Sequence, residues 1–426
     1  MNPRYKILIV GAYSFEGSSA TSITLNNMLG FIEHDRIAFI FTKETASSSQ
    51  YSYKTVCSKY FSKISNNSVI QNLSKERSLV AGSMGTIENR SIKKTILNSL
   101  HTIGSSYRML LPYDYTDEVD DFIAEFRPDY IYSLLGNVAI INLCIKISSR
   151  FNVPIIPHFM DDWIHTMYRN NVTLSIAKHI LKSSLTDMFK RVHFGFTISE
   201  KMAKEYRSHF NVAFFSFMNC VNADKASATP TMSAGKKIQI LYSGGLHLNR
   251  ISSMSFFCKL LSQISSLEFE LNVYTSSDNW NKYGAQLTAF PFVRYRGFIS
   301  QNEMLIQQKK ADVLLHIESF DCKIKNYTRL SISTKIPEYL SAKKLIIAIG
   351  PSDIASIEYL ANNQAALILS DLNHDEATIK LSEILNDQNR INQLCANAYT
   401  VFMNYHTTQK QQNMVESLFT YGGNLS

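Results

Sequence analysis

The sequence predicts an α/β protein built from two Rossmann-like, doubly wound domains that face each other across a cleft. Three observations lead to this fold class. Short apolar runs rich in β-branched residues alternate with helix-length segments, which is the pattern of parallel βαβ units. A polar segment of small residues, 222–237, separates two sets of such runs. The length of 426 residues and a hydrophobic content of 45% allow two sizeable cores.

The predicted strands form two groups, one on each side of the polar segment. In the first half they are KILIVG (6–11), RIAFIF (36–41), YIYSLL (130–135), PIIPHF (154–159) and FGFTIS (194–199). In the second half they are IQILYSG (238–244), FELNVYT (269–275), VRYRGF (293–298), ADVLLHI (311–317) and LIIAIG (345–350). Ligands of doubly wound sheets bind beyond the C-terminal ends of the strands, so we expect the functional site in the cleft.

This pattern divides the chain into four parts. We predict an N-terminal Rossmann-like domain, a linker, a C-terminal Rossmann-like domain and a helical C-terminal segment that can cross back to the N-terminal domain. The corresponding ranges are 1–221, 222–237, 238–400 and 401–426.

The composition is basic, with 43 Lys+Arg against 35 Asp+Glu and a formal charge of +8. This excess favours an anionic partner, such as a phosphorylated substrate or an anionic membrane surface, and the alternative is a solvated basic surface. The basic residues form no dense stripe interleaved with aromatic residues, so we expect no nucleic-acid partner.

The cysteine pattern and the apolar runs indicate a cytoplasmic location. The six cysteines are scattered without a C-x-x-C pair, which argues against a zinc site or a disulfide framework. The first apolar run is too short for a signal peptide, and no run approaches the roughly 18 apolar residues of a membrane span. Segment 91–104 places Lys93 and Lys94 beside an apolar stripe at helical spacing. It is either an ordinary amphipathic helix or a basic patch that docks on the inner face of the cytoplasmic membrane.

The segment 331–353 of the second half carries the clearest ligand-binding pattern. Thr334, preceded by Ser333, is the predicted N-cap of a helix that runs to about Lys344. Pro337 is compatible with this helix because it lies in the first turn. A helix N-terminus together with Lys335 suits a diphosphate, and Glu338 on the same face can accept hydrogen bonds from both hydroxyls of a ribose. The alternative is a capped helix with a solvated Lys–Glu pair.

Two glycine-containing loops follow the first strand of each half. After the strand 238–244, Gly244 and Gly245 let the backbone approach a ligand, and Arg250 can fork onto phosphate oxygens. After the strand 6–11, Gly17 precedes Ser18 and Ser19 at the start of a predicted helix. These three residues lack the dinucleotide G-x-G-x-x-G spacing and are either an anion or sugar contact or a capped turn.

A third constellation, 157–168, follows the strand 154–159. It contains His158, Asp161, Asp162 and Trp163. A carboxylate can bind sugar hydroxyls or act as a general base for an acceptor hydroxyl, and Trp163 offers a stacking face. Consecutive side chains point in different directions, so we expect one of the two aspartates to face the ligand and the other to cap the following helix. His158 alone is either a ligand contact or a satisfied core histidine.

Taken together, these segments resemble the family-4-type GT-B glycosyltransferases, especially the bacterial enzymes that build surface polysaccharides such as capsule and O-antigen. The similarity covers nearly the whole chain. It is carried by the first-strand loop, FRPDYIYSLLG (126–136), HFMDDW (158–163), TISEKMAKEY (197–206), MNCVN (218–222), YSGGLHLNR (242–250), ADVLLHIESF (311–320) and STKIPEYLSAKK (333–344).

The resemblance implies a division of labour between the domains. The C-terminal domain would bind the nucleotide sugar, with Arg250 and Lys335 on the diphosphate and Glu338 on the ribose. The N-terminal domain would bind the acceptor, with His158 and Asp161 or Asp162 lining the sugar and acceptor side. The family usually has another glutamate eight positions before the ribose glutamate, where this sequence has Leu330; Glu318 is the candidate to replace it, and Asp321 the second.

The function implied is transfer of a sugar from a nucleotide-diphosphate donor of the UDP or GDP type to a glycan or lipid-linked saccharide. By the resemblance, transfer is retaining. We expect no metal and no cofactor, because no convincing D-x-D lies at a strand end and cationic side chains can stabilise the leaving diphosphate. The alternatives are a sugar-nucleotide 2-epimerase of the same fold and a non-catalytic binding protein.

Overall fold

The computed structural model describes residues 5–15, 19–42, 51–56, 110–168, 174–223 and 237–423. The predicted contacts Gly17 and Ser18 lie outside the described residues, and so does the segment 91–104 with Lys93 and Lys94.

The first half of the described chain forms one parallel sheet with the strand order β3-β2-β1-β4-β5-β6-β7. Its strands are β1 (Ile7–Gly11), β2 (Ile37–Phe41), β3 (Ser52–Thr55), β4 (Tyr130–Ser133), β5 (Ile155–Phe159), β6 (Phe194–Thr197) and β7 (Ala213–Ser216). Its helices are α1 (Ala20–Leu29), α2 (Asp117–Phe126), α3 (Val138–Phe151), α4 (Trp163–Thr166), α5 (Ser175–Phe189) and α6 (Glu200–Phe210), with a 3₁₀ turn at His34–Arg36.

The second half forms another parallel sheet with the order β10-β9-β8-β11-β12-β13. Its strands are β8 (Ile238–Ser243), β9 (Phe269–Tyr274), β10 (Val293–Gly297), β11 (Val313–Ile317), β12 (Leu345–Ile349) and β13 (Leu367–Leu369). Its helices are α7 (Arg250–Gln263), α8 (Ser277–Tyr283), α9 (Gln301–Lys310), α10 (Cys322–Thr328), α11 (Ile336–Ser341), α12 (Ala355–Asn362), α13 (His374–Asn386) and α14 (Gln388–Val401), with a 3₁₀ turn at Gly284–Leu287.

Each of the ten predicted strands is present, with ends that differ by one or two residues. The prediction missed β3, β7 and β13. These strands have only three or four residues, and β3 is polar and largely exposed, so neither length nor periodicity marks them in the sequence.

Both faces of each sheet are covered, which explains why the central strands are continuously apolar. In β1, Ile7 and Ile9 pack into the layer that contains α1, whereas Leu8 and Val10 pack into the opposite layer with α2 and α3. Both sheets reverse their strand order between the first and the fourth strand of their half, at β1/β4 and β8/β11. Because ligands bind at such switch points, the loops after these strands are the expected site.

The end of the chain returns to the first half. A π-helical turn, Phe402–His406, follows α14, and Val221 then forms an isolated bridge with Thr407. The last described helix, α15 (Thr408–Thr420), packs on α1 and the first sheet, where the Tyr130 hydroxyl donates to the Phe419 carbonyl at 2.8 Å. Across the described ranges, no helix is both long enough and apolar enough to cross a bilayer.

Candidate functional site

A cavity of about 600 Å³ lies at the C-terminal ends of β8, β9 and β10 and extends to α1 of the first half. Residues of both halves line it. They are Phe15, Ile23, Asn26, Asn27, Asn219, Ser243, Gly244, Gly245, His247, Tyr274, Thr275, Ser276, Asn279, Phe298, Ile299, Gln301, Met304, Thr334, Lys335 and Glu338. The structure thus brings five of the predicted donor-site residues to one cavity: Gly244, Gly245, Thr334, Lys335 and Glu338.

Lys335 is the charged centre of this cavity. Its ammonium group donates to the Ser243 carbonyl at 2.6 Å. Burial lowers the pKa of Lys335 to about 8. The nearby negative charge of Glu338 acts in the opposite direction and raises this pKa, but by less. An anion that enters the cavity would meet an amine that has already lost part of its hydration, so pairing with that amine is stronger than at an exposed lysine.

The glycine pair makes room for this lysine and for a neighbouring histidine. Gly244 has φ +148°, and a Cβ there would lie 2.9 Å from the Lys335 Nζ. A Cβ at Gly245 would lie 2.2 Å from Nδ1 of His247. Gly244 is therefore favoured by its backbone conformation, whereas a side chain at Gly245 would displace only the exposed ring of His247. Both glycines line the cavity, so the loop backbone is accessible from it.

Glu338 is buried at the edge of the cavity and held by two side-chain amides of α9. Gln301 Nε2 donates to Oε1 at 3.2 Å, and Gln308 Nε2 donates to Oε2 at 3.0 Å. The sequence analysis did not find either glutamine, because their helix lies more than 25 residues earlier and only packing brings it to Glu338.

The helix that carries Glu338 differs from the predicted one. Its N-cap is Lys335 rather than Thr334, no side chain caps it, and it ends at Ser341 rather than near Lys344. The prediction of a Thr334 cap is therefore wrong by one residue. Six residues form a weak dipole, so the positive charge at this end comes from Lys335. Ser333 accepts from the Lys335 amide at 3.4 Å and does not line the cavity.

Arg250, which is partly exposed, pairs with the buried Glu318 away from the cavity lining. Arg250 Nη2 lies 3.2 Å from Glu318 Oε2, and Glu318 also accepts from Ser356 Oγ at 3.4 Å. His316 Nε2 is 3.5 Å from Glu318 Oε1, and burial lowers the pKa of this histidine to about 4. The structure thus places Arg250 against a carboxylate, whereas the sequence predicted it on a phosphate.

The position of the family glutamate is occupied by a core residue. Leu330 is fully buried, and its carbonyl accepts from Ser199 of the first half at 2.6 Å. Asp321 caps α10 by accepting from the amides of Lys323 and Ile324. Neither Asp321 nor Glu318 lines the cavity.

The two adjacent aspartates face in different directions, as the sequence predicted. Asp161 is exposed and contacts the second half, where Ser331 Oγ donates to its Oδ1 at 3.2 Å, but it does not line the cavity. Asp162 is buried: its Oδ1 is 2.7 Å from His165 Nδ1 and accepts from the Tyr206 hydroxyl at 3.0 Å. The Asp162 carbonyl also accepts from the Thr166 amide, which ties it to the start of α4.

His158 lies inside the first domain. Its Nδ1 is 2.6 Å from the Tyr132 hydroxyl, and its ring packs against Phe196 and Phe217. Burial lowers the pKa of His158 to about 3. The structure therefore does not bring His158 to the cavity, and its surroundings are those of a core histidine. Ser19 caps α1 by accepting from the Ser22 amide; the Trp163 side chain lies outside the described part.

One group of side chains has the spacing of a metal site. Ligand atoms of Asp162, His165 and Glu205 lie within 4.8 Å of one another. The Arg329 guanidinium already supplies a cation there, with both of its terminal nitrogens 2.6 Å from the Glu205 carboxylate. This cluster is an ion-pair network across the two halves.

Six of the cavity residues that the sequence analysis missed share one signal. Ser243, Tyr274, Thr275, Ser276, Phe298 and Ile299 all lie at or just after the C-terminal end of a second-half strand. The general rule for doubly wound sheets could have selected them. Asn219 had no such signal; its amide donates to the Thr334 carbonyl at 3.3 Å and its Oδ1 accepts from Asn27 at 2.7 Å.

Comparison with known proteins establishes the fold. No protein-family model matches the sequence, and no curated protein matches it. HepE from Anabaena in complex with UDP is similar in structure, with a TM-score of 0.62 and 10% identity over 98% of this chain and 100% of that one. Sucrose-phosphate synthase from Thermosynechococcus elongatus is similar with a TM-score of 0.61 and 9% sequence identity, over 98% of this chain and 99% of that one. The lipopolysaccharide outer core galactosyltransferase WaaB is similar with a TM-score of 0.57 and 13% sequence identity, over 98% of this chain and 99% of that one.

These neighbours are GT-B glycosyltransferases, and they match almost the full length of the chain. The chain therefore has the GT-B fold, with two Rossmann-like domains, and the predicted fold class is confirmed.

Proposed function

We propose that the chain is a glycosyltransferase that binds a nucleotide-diphosphate sugar, of the UDP or GDP type, in the 600 Å³ cavity. The observation that carries the proposal is the pairing in one cavity of a partly buried cation, Lys335, with a buried carboxylate, Glu338, beside a glycine loop. A diphosphate requires a cation such as Lys335, and the two hydroxyls of a ribose require an acceptor such as the Glu338 carboxylate. The GT-B neighbours, one of them in complex with UDP-glucose, support the same donor class.

In this proposal Lys335 and the amides of the 244–247 loop hold the diphosphate, and Glu338 holds the ribose. The same charge stabilises the diphosphate as it leaves with the electron pair of the broken sugar–oxygen bond. We expect no metal ion and no cofactor to be needed. Arg250 reaches the phosphate only if it exchanges Glu318 for the ligand.

The acceptor would enter from the side of Asp161. Of the two candidate aspartates, Asp161 is exposed, whereas Asp162 is buried and bonded to His165 and Tyr206. For retention, the acceptor oxygen must attack the anomeric carbon from the face that the diphosphate leaves, and the proton of the acceptor hydroxyl goes to the departing diphosphate oxygen. In this proposal Asp161 holds the acceptor by accepting hydrogen bonds from its hydroxyls. Retention of configuration is inferred from the resemblance to the family-4 type.

The proposed acceptor is a glycan or a lipid-linked saccharide of a bacterial surface polysaccharide, such as capsule or O-antigen. We propose further that the enzyme is cytoplasmic and binds peripherally at the inner face of the cytoplasmic membrane, where such an acceptor is held. The charge of +8 supports this placement, since each Lys or Arg near an anionic bilayer contributes about 1 kcal/mol. Changing Lys93 and Lys94 to Glu should reduce sedimentation with anionic vesicles at low salt.

The test is consumption of a panel of UDP- and GDP-sugars by the purified protein, with and without saccharide acceptors. Acceptor-dependent release of nucleoside diphosphate supports transfer. Conversion of the sugar nucleotide without an acceptor would instead support the 2-epimerase. Nucleotide-sugar binding without any turnover would leave a binding protein, and no binding of any donor would overturn the proposal.

A further inference from the structure

The carboxylate of Glu338 is fixed by two glutamines that occupy different environments. Gln301 and Gln308 are the first and the eighth positions shown for α9, seven residues apart, so they project from one face of the helix. Gln301 is exposed and lines the cavity, whereas Gln308 is 1% exposed. Water or a ligand can therefore replace the Gln301 hydrogen bond, but nothing from solvent can replace that of Gln308.

The orientation of the Gln308 amide follows from its neighbours. Its Nε2 donates to Glu338 Oε2, and its Oε1 has no hydrogen-bond partner among the described residues. A flipped amide would place two oxygens against each other, so the observed orientation is the stable one. The uncompensated Oε1 indicates that the geometry around Glu338 is maintained at the expense of the glutamine's own hydrogen bonding.

A carboxylate has about four acceptor positions, two on each oxygen. The two amides use one on each oxygen, and the remaining pair can accept from two adjacent hydroxyls. With one oxygen fixed by a buried donor, the carboxylate cannot turn to compensate for a missing hydroxyl.

We propose that Gln308 is a positioning residue that holds Glu338 for a vicinal diol, so that the site selects ribonucleotides over 2′-deoxyribonucleotides. This inference rests on the proposed function, because it requires a nucleotide in the cavity. Gln308 acts through Glu338 and does not touch the ligand.

The experiment measures the Kd ratio of each deoxy/ribo pair by calorimetry, with UDP and 2′-deoxy-UDP and with GDP and 2′-deoxy-GDP. In the unchanged protein, loss of one hydrogen bond to a charged group should weaken binding about tenfold or more. Gln308→Met should bring the ratio close to one, because the released carboxylate can turn toward the single hydroxyl. A purely structural role would weaken both nucleotides equally and leave the ratio unchanged.

Two further variants keep the test decisive. Gln307→Met makes the same substitution one residue earlier on α9 and should leave the ratio as in the unchanged protein. Gln301→Met alters an exposed residue, so folding is not at risk, and it should also keep most of the discrimination because Gln308 remains. If Gln308→Met fails to fold, Gln308→Asn, which keeps an amide too short to reach Glu338, replaces it.

The outcomes separate the two proposals. Nucleotide binding with an unchanged ratio in the Gln308 variants overturns the role of Gln308 and leaves the proposed function standing. Loss of discrimination in Gln301→Met but not in the Gln308 variants also overturns it. No binding of any of the four nucleotides by the unchanged protein overturns the proposed function, and this inference with it.

Discussion

Arg329 of the second half forms a bidentate ion pair with Glu205 of the first half, with two nitrogen–oxygen distances of 2.6 Å. The same guanidinium lies 3.6 Å from the buried carboxylate of Asp162. Lys201, also on α6, pairs with Glu358 and donates to the Asp353 carbonyl at 2.7 Å. Helix α6, which carries both Glu205 and Lys201, is therefore tied to the second half by two ion pairs.

We predict that Arg329→Ala loosens the arrangement of the two halves and lowers the free energy of unfolding by about 1–2 kcal/mol. The pair is about one third exposed, so solvent screens most of its Coulomb energy, but Asp162 loses a nearby cation. Small-angle scattering should show a larger radius of gyration. Arg294→Ala is the matched control, because Arg294 donates to carbonyls near it in its own strand and loop.

The pH dependence of this contact has a defined sign. Hydrogen bonding to Arg329 lowers the pKa of Glu205. The contribution of this ion pair to the free energy of unfolding is therefore complete above the pKa of about 4.3 that Glu205 has in the unfolded chain. It is lost as pH falls through the lower pKa of Glu205 in the folded protein. His165 lies beside this pair, and its pKa is raised by its hydrogen bond to Asp162 and lowered by the charge of Arg329. Near neutral pH the cost of Arg329→Ala should therefore shrink as pH falls, because His165 gains a proton in place of the lost cation; a cost that grows between pH 8 and 6 would contradict the assignment.

We predict that donor binding takes up protons above pH 8. The pKa of Lys335 is lowered to about 8 in the free protein, and a bound diphosphate must raise it. Below pH 8 the amine is already charged, so affinity is highest there and falls as pH rises past 8. Calorimetry of UDP at pH 8.5 in two buffers of different ionisation enthalpy measures the uptake.

Lys335→Met should abolish this proton uptake and weaken UDP by about 10- to 100-fold, the loss of a charge-assisted contact. Lys259→Met, an exposed lysine of α7, is the control. Equal heats in both buffers for the unchanged protein would show that Lys335 does not meet the diphosphate.

We predict that Glu338→Ala weakens the donor by roughly 1.5–3 kcal/mol, because a carboxylate that accepts two ribose hydroxyls is lost. Titration with the true donor measures it. Glu383→Ala, an exposed residue of α13, should bind normally. Unchanged affinity in Glu338→Ala would remove this residue from the site.

We predict that His158→Ala acts on stability more than on the chemical step. The substitution leaves a cavity among Phe196 and Phe217, and the Tyr132 hydroxyl keeps only the weak acceptor Met28 Sδ at 3.4 Å, at a cost of about 2–4 kcal/mol. Denaturant unfolding measures this cost. If kcat falls a hundredfold at unchanged stability, His158 belongs to the catalytic site after all.

The low pKa of His158 adds a further expectation. Burial lowers it to about 3, so the neutral ring contributes stability fully above the unfolded pKa of about 6.5. That contribution is lost as pH falls from 6.5 toward 3. The unchanged protein should therefore lose more stability between pH 6.5 and 4.5 than His158→Ala does.

We predict that transfer persists in excess EDTA. Arg329 already supplies a cation to the Asp162, His165 and Glu205 group by pairing with Glu205, and Lys335 supplies the cation in the cavity. Acceptor-dependent nucleotide release should be equal with and without chelator. Loss in EDTA with recovery in magnesium or manganese would reject the metal-free mechanism.

The sequence alone determined the fold class, because it depends on local patterns. Ten of the strands are runs of four or more residues, most of them apolar and rich in β-branched side chains, and each can be recognised from its own sequence. Their alternation with helical segments predicts two parallel sheets. Gly244 and Gly245 could be found in the same way, since glycines after a strand end are a local feature. Lys335 could be found because it stands at the start of a helix that has proline in its first turn, which is also local.

The tertiary structure decided which of the candidate groups have partners. Asp161 and Asp162 are neighbours in sequence, yet only packing of α6 against α4 makes one exposed and the other buried. Arg250 could face a phosphate or a carboxylate until β11 placed Glu318 beside it. Gln308 reaches Glu338 across 30 residues of chain. Such pairings depend on contacts that are distant in sequence, and no local pattern of hydrophobicity or charge encodes them.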